Sequence, residues 1–380
     1  MPAGLLILGI AQSGGALHRE RCSTDRRRPP AVPPISRAAR TALGRRPVPS
    51  RPGHRPAVTV ASVSDTSDRP VVPRLALGLA ALGRPAYINL GRERELPAER
   101  TVAAMRAATW ATLDAAYAQG VRWVDAARSY GCSEEFLADW LDDRGHTDVT
   151  VSSKWGYAYV AHWRADAPVH EVKEHSSARL RTQWAQSRDL LGDRIDLYQV
   201  HSLTWDSPLF DDADLLAELA DIAGEGVRLG FSTSGPRQAD TVRRASALEV
   251  DGRRLFQTVQ STWNPLEPSV GGALAEAHAA GFHVLVKEAL ANGRLVVRPP
   301  EVLAEIARRH EVGPDAVALA AALSRPWVDT VLLGPAGPAQ LRANLAVDGL
   351  HLDAAELDAL LGLAVPADRY WDERAELSWT

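Results

Sequence analysis

Cysteine is nearly absent from this sequence of 380 residues, which contains only Cys22 and Cys132. The two form no metal-binding or redox spacing and give no reason to expect a disulfide framework, so a reducing compartment, the cytoplasm, is the expected location. The sequence also lacks any apolar run near the ~18 residues that a membrane helix requires. Residues 4–10, GLLILGI, are too short and follow no basic segment, so we do not expect a cleaved signal peptide.

A strong excess of charge of one sign is also missing. The formal net charge is −4, and 46% hydrophobic with 24% charged residues is an ordinary globular composition. Neither nucleic acid nor a membrane is therefore expected as a partner. No G-x-x-x-x-G-K-[ST] loop occurs, and the turn after the first predicted strand, GLAALGRP, has no G-x-G-x-x-G spacing. These absences argue against a P-loop and against an open dinucleotide-binding sheet.

Residues 1–70 differ in composition from the rest of the chain. Between residues 18 and 55 there are eleven arginines, many prolines and only two acids, Glu20 and Asp25. Such a stretch cannot bury enough apolar surface to offset the entropy of ordering, so we predict a disordered extension. It is either a basic arm or transit-like leader, or a dispensable tail from a reading frame that starts too early; the lack of repeats, aromatics and amphipathic periodicity favours the second.

From residue 71 onward, apolar runs alternate with amphipathic segments. The runs predict strands at residues 75–80, 121–127, 149–155, 195–202, 227–232, 256–261, 282–287 and 328–333. The segments predict helices at residues 101–119, 133–143, 178–191, 212–223, 238–247, 272–280, 300–309, 314–323, 339–345 and 354–363. Eight strand and helix pairs indicate a parallel sheet buried on both faces. They favour one (β/α)8 TIM barrel over residues 71–380.

Polar side chains stand at the carboxyl ends of three successive predicted strands, where such barrels hold their active sites. The second strand leads through Asp125 to Tyr130, the third ends with Lys154, and the fourth with His201. Singly, the aspartate suggests a turn cap and the histidine a packed core residue. The lysine is harder to dismiss, because a buried ammonium needs a partner, and Asp125 is available on the neighbouring strand.

Together these side chains suit proton delivery. A tyrosine is a weak acid at pH 7, with a pKa of about 10. We expect the Lys154 ammonium to lower the pKa of Tyr130 toward the working range, Asp125 to hold that ammonium, and His201 to orient a carbonyl. We find no nucleophile and no metal-ligand set, so the reductant is expected to come from a cofactor.

The strings WVDAARSYG, VTVSSKWG and SRDLLGDRIDLYQVHS resemble three signature regions of the aldo-keto reductase family. The resemblance runs from about residue 75 to 344. It implies a carbonyl reductase in which Tyr130 is the general acid, Lys154 tunes it, Asp125 is the partner of Lys154, and His201 orients the substrate.

The resemblance also implies a nicotinamide cofactor site. GFSTSG and TVQSTWNP place Ser232, Thr233 and Gln260 at the carboxamide, although Thr233 stands where the family usually has Asn. FHVLVKEALANGRL resembles the segment at the nicotinamide ring and pyrophosphate, with Lys287 in place of a common aromatic residue. LLGPAGPAQLRANL matches the adenine end. Beyond Gln260, the resemblance implies further residues of the cofactor site, which are Lys287, Ala289, Leu290, Arg294, Gly334, Gln340, Arg342 and Asn344.

NADP is the expected cofactor, with NAD possible. The basic residue that usually follows Gly334 is missing, Ala343 replaces a usual Glu, and Arg342 is the nearest cation for a 2′-phosphate. Two alternatives stay open: an NAD-dependent sugar or alcohol dehydrogenase working oxidatively, and a cofactor-binding regulatory subunit with little turnover.

Two further features of the sequence carry less weight. HEVKEH, at residues 170–175, resembles a zinc-protease motif, but on a helix its histidines would point about 140° apart. Tyr370, Trp371 and Trp379 form either a packed tail or a border of the substrate pocket, as the C-terminal segment often does in this family.

Overall fold

The computed structural model describes residues 71–380. The predicted disordered extension at residues 1–70 lies outside the described residues.

Eight parallel strands close a barrel, which confirms the predicted (β/α)8 architecture. Each strand pairs with the strands before and after it in the chain, and the last pairs with the first. Every strand overlaps its predicted segment, because short β-branched runs buried on both faces fit only such a sheet. The strands are β1 (Leu75–Gly78), β2 (Trp123–Asp125), β3 (Thr150–Trp155), β4 (Ile195–Leu203), β5 (Arg228–Thr233), β6 (Thr258–Thr262), β7 (His283–Lys287) and β8 (Thr330–Leu333).

Helices cover the outside of the barrel. They are α1 (Val102–Ala118), α2 (Ser133–Arg144), α3 (Ser177–Leu191), α4 (Ala213–Gly224), α5 (Gln238–Ser246), α6 (Gly271–Ala279), α7 (Arg294–Val297), α8 (Glu301–Arg309), α9 (Pro314–Leu323), α10 (Pro338–Leu345), α11 (Ala354–Leu361) and α12 (Ala367–Ala375). Local capping sets several starts: the side chains of Thr101 and Ser176 accept backbone N–H groups at the beginning of α1 and α3. The short 3₁₀ helices are Val72–Arg74, Arg92–Arg94, Gly192–Arg194, Pro208–Asp211 and Ala291–Gly293.

Some elements were not predicted. Helices α7 and α12 are additional, and two short antiparallel hairpins join Tyr157–Tyr159 to Glu171–Lys173 and Glu249–Val250 to Arg253–Arg254. A second apolar cluster packs α12 against α8, α9 and α11 through Tyr370 and Trp371. The C-terminal helix is thereby fixed beside the end of β7.

Cys132 is disulfide-bonded, which the cysteine spacing did not lead us to expect. Within residues 71–380, no helix is both long and apolar enough to span a bilayer.

Candidate active site

A buried ion pair joins the ends of β2 and β3. Lys154 is 0% exposed and Asp125 is 2% exposed. The ammonium of Lys154 donates to the Asp125 carboxylate and to the backbone carbonyl of Ala126, the latter at 3.0 Å. The second carboxylate oxygen accepts from Ser152 Oγ at 2.6 Å and from Gln199 Nε2 at 3.2 Å. The predicted pairing is therefore present, and its remaining hydrogen-bonding capacity is largely satisfied.

Tyr130 is held beside this pair by a tight turn after β2. Gly131 has a φ of +61°, and a Cβ there would lie 2.5 Å from the carbonyl oxygen of Gly83. Only glycine fits this close approach between the turn and the segment after β1. The turn sets the Tyr130 ring centroid 4.9 Å from Lys154 Nζ, so the phenol and the ammonium share one rim of the barrel.

His201, near the end of β4, completes the cluster. Its Nε2 lies 3.4 Å from the Tyr130 hydroxyl, and its Nδ1 lies 3.2 Å from Ser129 Oγ. Burial, reinforced by the nearby cations Lys154 and Arg84, holds the pKa of His201 well below its ordinary value. The imidazole is therefore neutral at pH 7 and carries one N–H donor and one acceptor nitrogen.

The expected lowering of the Tyr130 pKa is not met. Burial raises the pKa of Tyr130 well above 10, and the carboxylate of Asp125 raises it further. The Lys154 ammonium is paired with the Asp125 carboxylate. The cation that lowers the pKa of Tyr130 is Arg84, and its effect is smaller than that of burial. Tyr130 is thus a protonated phenol at neutral pH.

One cavity of about 660 Å³ contains most of the residues singled out from the sequence. Its lining includes three of the four proposed catalytic residues, Asp125, Tyr130 and His201. It also includes Ser232, Gln260, Lys287, Ala289, Leu290, Gly334, Gln340 and Asn344 from the proposed cofactor set. Lys154 is not part of this lining, but it forms an ion pair with Asp125, which is.

Three residues of the proposed cofactor set are not part of this lining. The Thr233 hydroxyl lies 2.7 Å from Ser261 Oγ and donates to Gln238. Arg294 lies over the ring of Tyr370, with its Cζ 4.1 Å from the centroid. Arg342 is exposed on α10.

The charges at the end of β7 include two residues that sequence reasoning missed. Glu288 has a φ of +54° and a buried carboxylate that accepts hydrogen bonds from Thr262 and, through both Nε and Nη2, from Arg374 of α12. Burial alone would raise the pKa of Glu288, but Arg374 and Lys287 hold it well below its ordinary value. Burial lowers the pKa of Lys287 to about 8.

The far end of the cavity lies at the start of α10. Gln340 Oε1 accepts from the Ala336 N–H, and its Nε2 donates to the carbonyl of Gly91. The Glu95 carboxylate accepts the Ala339 N–H at 3.3 Å. Glu95 and the exposed Arg94 also line the cavity, a contribution that no motif predicted.

The lining suits a long polar ligand such as a dinucleotide. Amide side chains stand at both ends, hydroxyl side chains line the Tyr130 end, and the buried Asn292 Oδ1 has no hydrogen-bond partner in the described part of the chain. A cavity of this size falls within the usual range for small-molecule sites. A cofactor with several donors and acceptors fits it.

The two histidines of HEVKEH flank the short strand Glu171–Lys173 instead of lying on a helix, and both have structural partners. His170 stacks on Trp379 with ring centroids 4.2 Å apart. His175 Nε2 donates to the carbonyl of His201 at 2.9 Å, and its Nδ1 accepts from Ser207 Oγ at 2.8 Å. No cluster of metal-ligating side chains is found among residues 71–380.

Comparison with known proteins agrees with this architecture. The model of the Aldo/keto reductase family matches residues 74–364. D-threo-aldose 1-dehydrogenase of a Pseudomonas species is 27% identical over 286 residues, 64% of this chain and 84% of that protein. Protein tas of Escherichia coli is 24% identical over 307 residues, 65% and 85% of the two chains.

Solved structures share the fold. The holo form of aldo-keto reductase AKR11C1 from Bacillus halodurans matches with a TM-score of 0.58 at 22% identity, covering 77% of this chain and 93% of that one. The glycerol dehydrogenase AKR11B4 from Gluconobacter oxydans matches with a TM-score of 0.58 at 21% identity, covering 79% and 97%.

Proposed function

This chain belongs to the aldo/keto reductase family and is therefore an NAD(P)-dependent oxidoreductase, and we propose that it reduces an aldehyde or ketone with NADPH, Tyr130 supplying the proton. The observation that supports this most is the convergence of Tyr130, His201 and the Lys154–Asp125 pair at one end of one cavity. The substrate is a small carbonyl compound. The absence of nucleic-acid and membrane partners stays a prediction.

Each side chain has a separate task in this proposal. Neutral His201 donates a hydrogen bond that orients and polarises the carbonyl oxygen. Tyr130 transfers its proton to the forming alkoxide, a far stronger base than phenolate, so a raised pKa does not prevent donation. Lys154 and Asp125 position Tyr130 and balance charge beneath it.

A bound nicotinamide dinucleotide would supply the hydride. Ser232 and Gln260 would hold its carboxamide end, Asn292 and Lys287 its middle, and Gln340 and Asn344 its adenine end. The roles of Thr233, Ala289, Leu290, Arg294, Gly334 and Arg342 remain expectations from the resemblance.

The variant Tyr130→Phe tests the assignment, and Tyr157→Phe, a cavity-lining tyrosine whose ring lies 5.0 Å from His201, is its matched control. We expect Tyr130→Phe to lower single-turnover reduction of a reactive aldehyde by about 10²–10⁴-fold, with cofactor affinity unchanged. Tyr157→Phe should change the rate only a few-fold. Wild-type-like turnover in Tyr130→Phe refutes the assigned acid, and tight cofactor binding without turnover in the wild type would favour a regulatory subunit.

An NAD-dependent dehydrogenase is the second candidate, favoured by the Glu95 carboxylate at the far end of the cavity. A carboxylate there suits a ribose 2′-hydroxyl and repels a 2′-phosphate. The relative named D-threo-aldose 1-dehydrogenase is consistent with this direction. Dissociation constants for NADPH and NADH, measured by fluorescence titration, separate the candidates.

A cytoplasmic location stays a prediction from the scarcity of cysteine. The disulfide at Cys132 counts against it, because disulfides persist mainly in oxidising compartments.

A further inference from the structure

Opposite charges lie side by side in the cavity wall next to Tyr130. Arg84, from the segment after β1, donates through Nη1 to Glu171 Oε1 at 2.8 Å. Glu171 belongs to the short hairpin that follows β3. Both residues line the cavity that holds Tyr130 and His201, and neither is used by the chemistry proposed above.

The Arg84 side chain is fixed in place. It is 1% exposed, its Nε donates to the carbonyl of Ala80, and its Nη1 also donates to the carbonyl of Ser129. Its guanidinium lies 4.5 Å from the ring centroid of Tyr87 and 4.9 Å from that of Trp379. An arginine held in this way loses little further entropy when it binds a ligand.

The pair retains one donor and one acceptor for a ligand. Within residues 71–380, Arg84 Nη2 donates no hydrogen bond and Glu171 Oε2 accepts none. A ligand hydroxyl can accept from Nη2 while a neighbouring hydroxyl donates to Oε2. Hydrogen bonds to charged groups are the stronger kind, and leaving either atom unpaired costs free energy.

We propose that Arg84 and Glu171 select carbonyl substrates that are uncharged and carry hydroxyl groups on adjacent carbons. The opposite charges cancel, so a carboxylate or phosphate on the substrate gains from Arg84 what it loses to Glu171. A purely apolar carbonyl compound satisfies neither atom. Tyr87 and Trp379 also line the cavity, and the apolar ring atoms that they present there can contact the C–H groups of the same molecule. This inference rests on the proposed carbonyl reduction.

Three aldehydes separate the possibilities: glyceraldehyde, propanal, which lacks the two hydroxyls, and succinic semialdehyde, which carries a carboxylate. We expect wild-type kcat/KM, per concentration of unhydrated aldehyde, to favour glyceraldehyde over each of the others by about 10–100-fold. The difference should lie mainly in KM. Equal values for glyceraldehyde and propanal overturn the inference without any variant.

The variant Glu171→Gln removes the negative charge and keeps the shape. It should lower the glyceraldehyde-to-propanal ratio of kcat/KM about tenfold and raise kcat/KM for succinic semialdehyde, because Arg84 is then uncompensated. Glu174→Gln is the matched control, since Glu174 lies on the same segment but pairs with Arg179 outside the cavity lining. A general loss of structure lowers all three activities alike and leaves the ratio unchanged, which counts against the inference.

Failure of the inference and failure of the function are distinguishable. If the wild type reduces none of the three aldehydes, carbonyl reduction itself is refuted. If it reduces propanal as well as glyceraldehyde, or if Glu171→Gln leaves the ratio unchanged, only the role of this pair is refuted.

Discussion

Removing one member of the Lys154–Asp125 pair should destabilise the protein strongly, and removing both should cost much less than the sum. Lys154 is fully buried, and Asp125 is only 2% exposed. Lys154→Met leaves the buried Asp125 carboxylate without its cation. Asp125→Asn leaves the buried Lys154 ammonium without its anion, and the carbonyl of Ala126 remains as its other acceptor. An uncompensated buried charge costs about 3–5 kcal/mol of unfolding free energy.

The double variant distinguishes coupling from simple addition. Two independent losses would total about 6–10 kcal/mol, much of the roughly 5–15 kcal/mol that holds a typical domain together. With both charges removed, nothing is stranded, and Ser152 and Gln199 can still donate to the amide oxygen of the introduced asparagine as they do to the Asp125 carboxylate. We therefore expect the double variant to be no less stable than the worse single variant.

Urea unfolding followed by tryptophan fluorescence measures these free energies. It should be done without cofactor, because a ligand that binds only the folded state adds stability. The exposed pair Arg181–Glu218 is the control, and Arg181→Met should cost less than about 1 kcal/mol. Losses below about 1 kcal/mol in Lys154→Met and Asp125→Asn, or strict additivity, would refute the description of this pair as buried and coupled.

Two further predictions concern other ionisable side chains. Burial lowers the pKa of His175 to about 4, so between pH 6.5 and 4 the unfolded chain binds a proton that the folded chain does not. Stability should fall by about 3 kcal/mol over that range, and His175→Gln should flatten the urea midpoint against pH; an equally steep profile in the variant contradicts this. Glu95→Gln should improve NADPH affinity relative to NADH on the order of tenfold in a fluorescence titration. Glu93→Gln, an exposed neighbour that does not line the cavity, is the control, and an unchanged ratio in Glu95→Gln would remove the argument for NAD.

The barrel could be predicted because its signal is local. Runs such as residues 195–202 are short, apolar and β-branched, and amphipathic segments separate them, so each element is visible in its own window of sequence. Helix α12 was missed for the same reason: only Tyr370 and Trp371 of its nine residues are buried, and the rest are mostly polar or charged. Its helical state depends on packing against α8, α9 and α11, which no window of that length contains.

The candidate site divides in the same way. Asp125, Tyr130, Lys154 and His201 could be grouped because the carboxyl ends of neighbouring parallel strands meet at one rim. The pairs Arg84–Glu171 and Glu288–Arg374 could not, since their members lie 87 and 86 residues apart in the sequence, on loops, on a short hairpin strand and on α12. Only the closure of the barrel and the docking of the C-terminal segment bring these charges together.

The error over the Tyr130 pKa has the most consequence for pH dependence. Proximity to Lys154 suggested a lowered pKa, but burial and Asp125 outweigh that effect. Tyr130 therefore stays protonated through pH 7–10, and its ionisation should not limit reduction there. Lys287 lines the cavity and titrates in this range, because burial lowers its pKa to about 8.

Loss of the Lys287 ammonium leaves Glu288 with Arg374 as its cationic partner and adds net negative charge to the cavity wall. Binding of an anionic dinucleotide should therefore weaken as pH rises through 8. We expect the dissociation constant of NADPH to rise about tenfold between pH 7 and 9.5 in the wild type, and to vary much less in Lys287→Met. A pH-independent constant in the wild type, or the same rise in the variant, would mean that Lys287 does not face the bound cofactor.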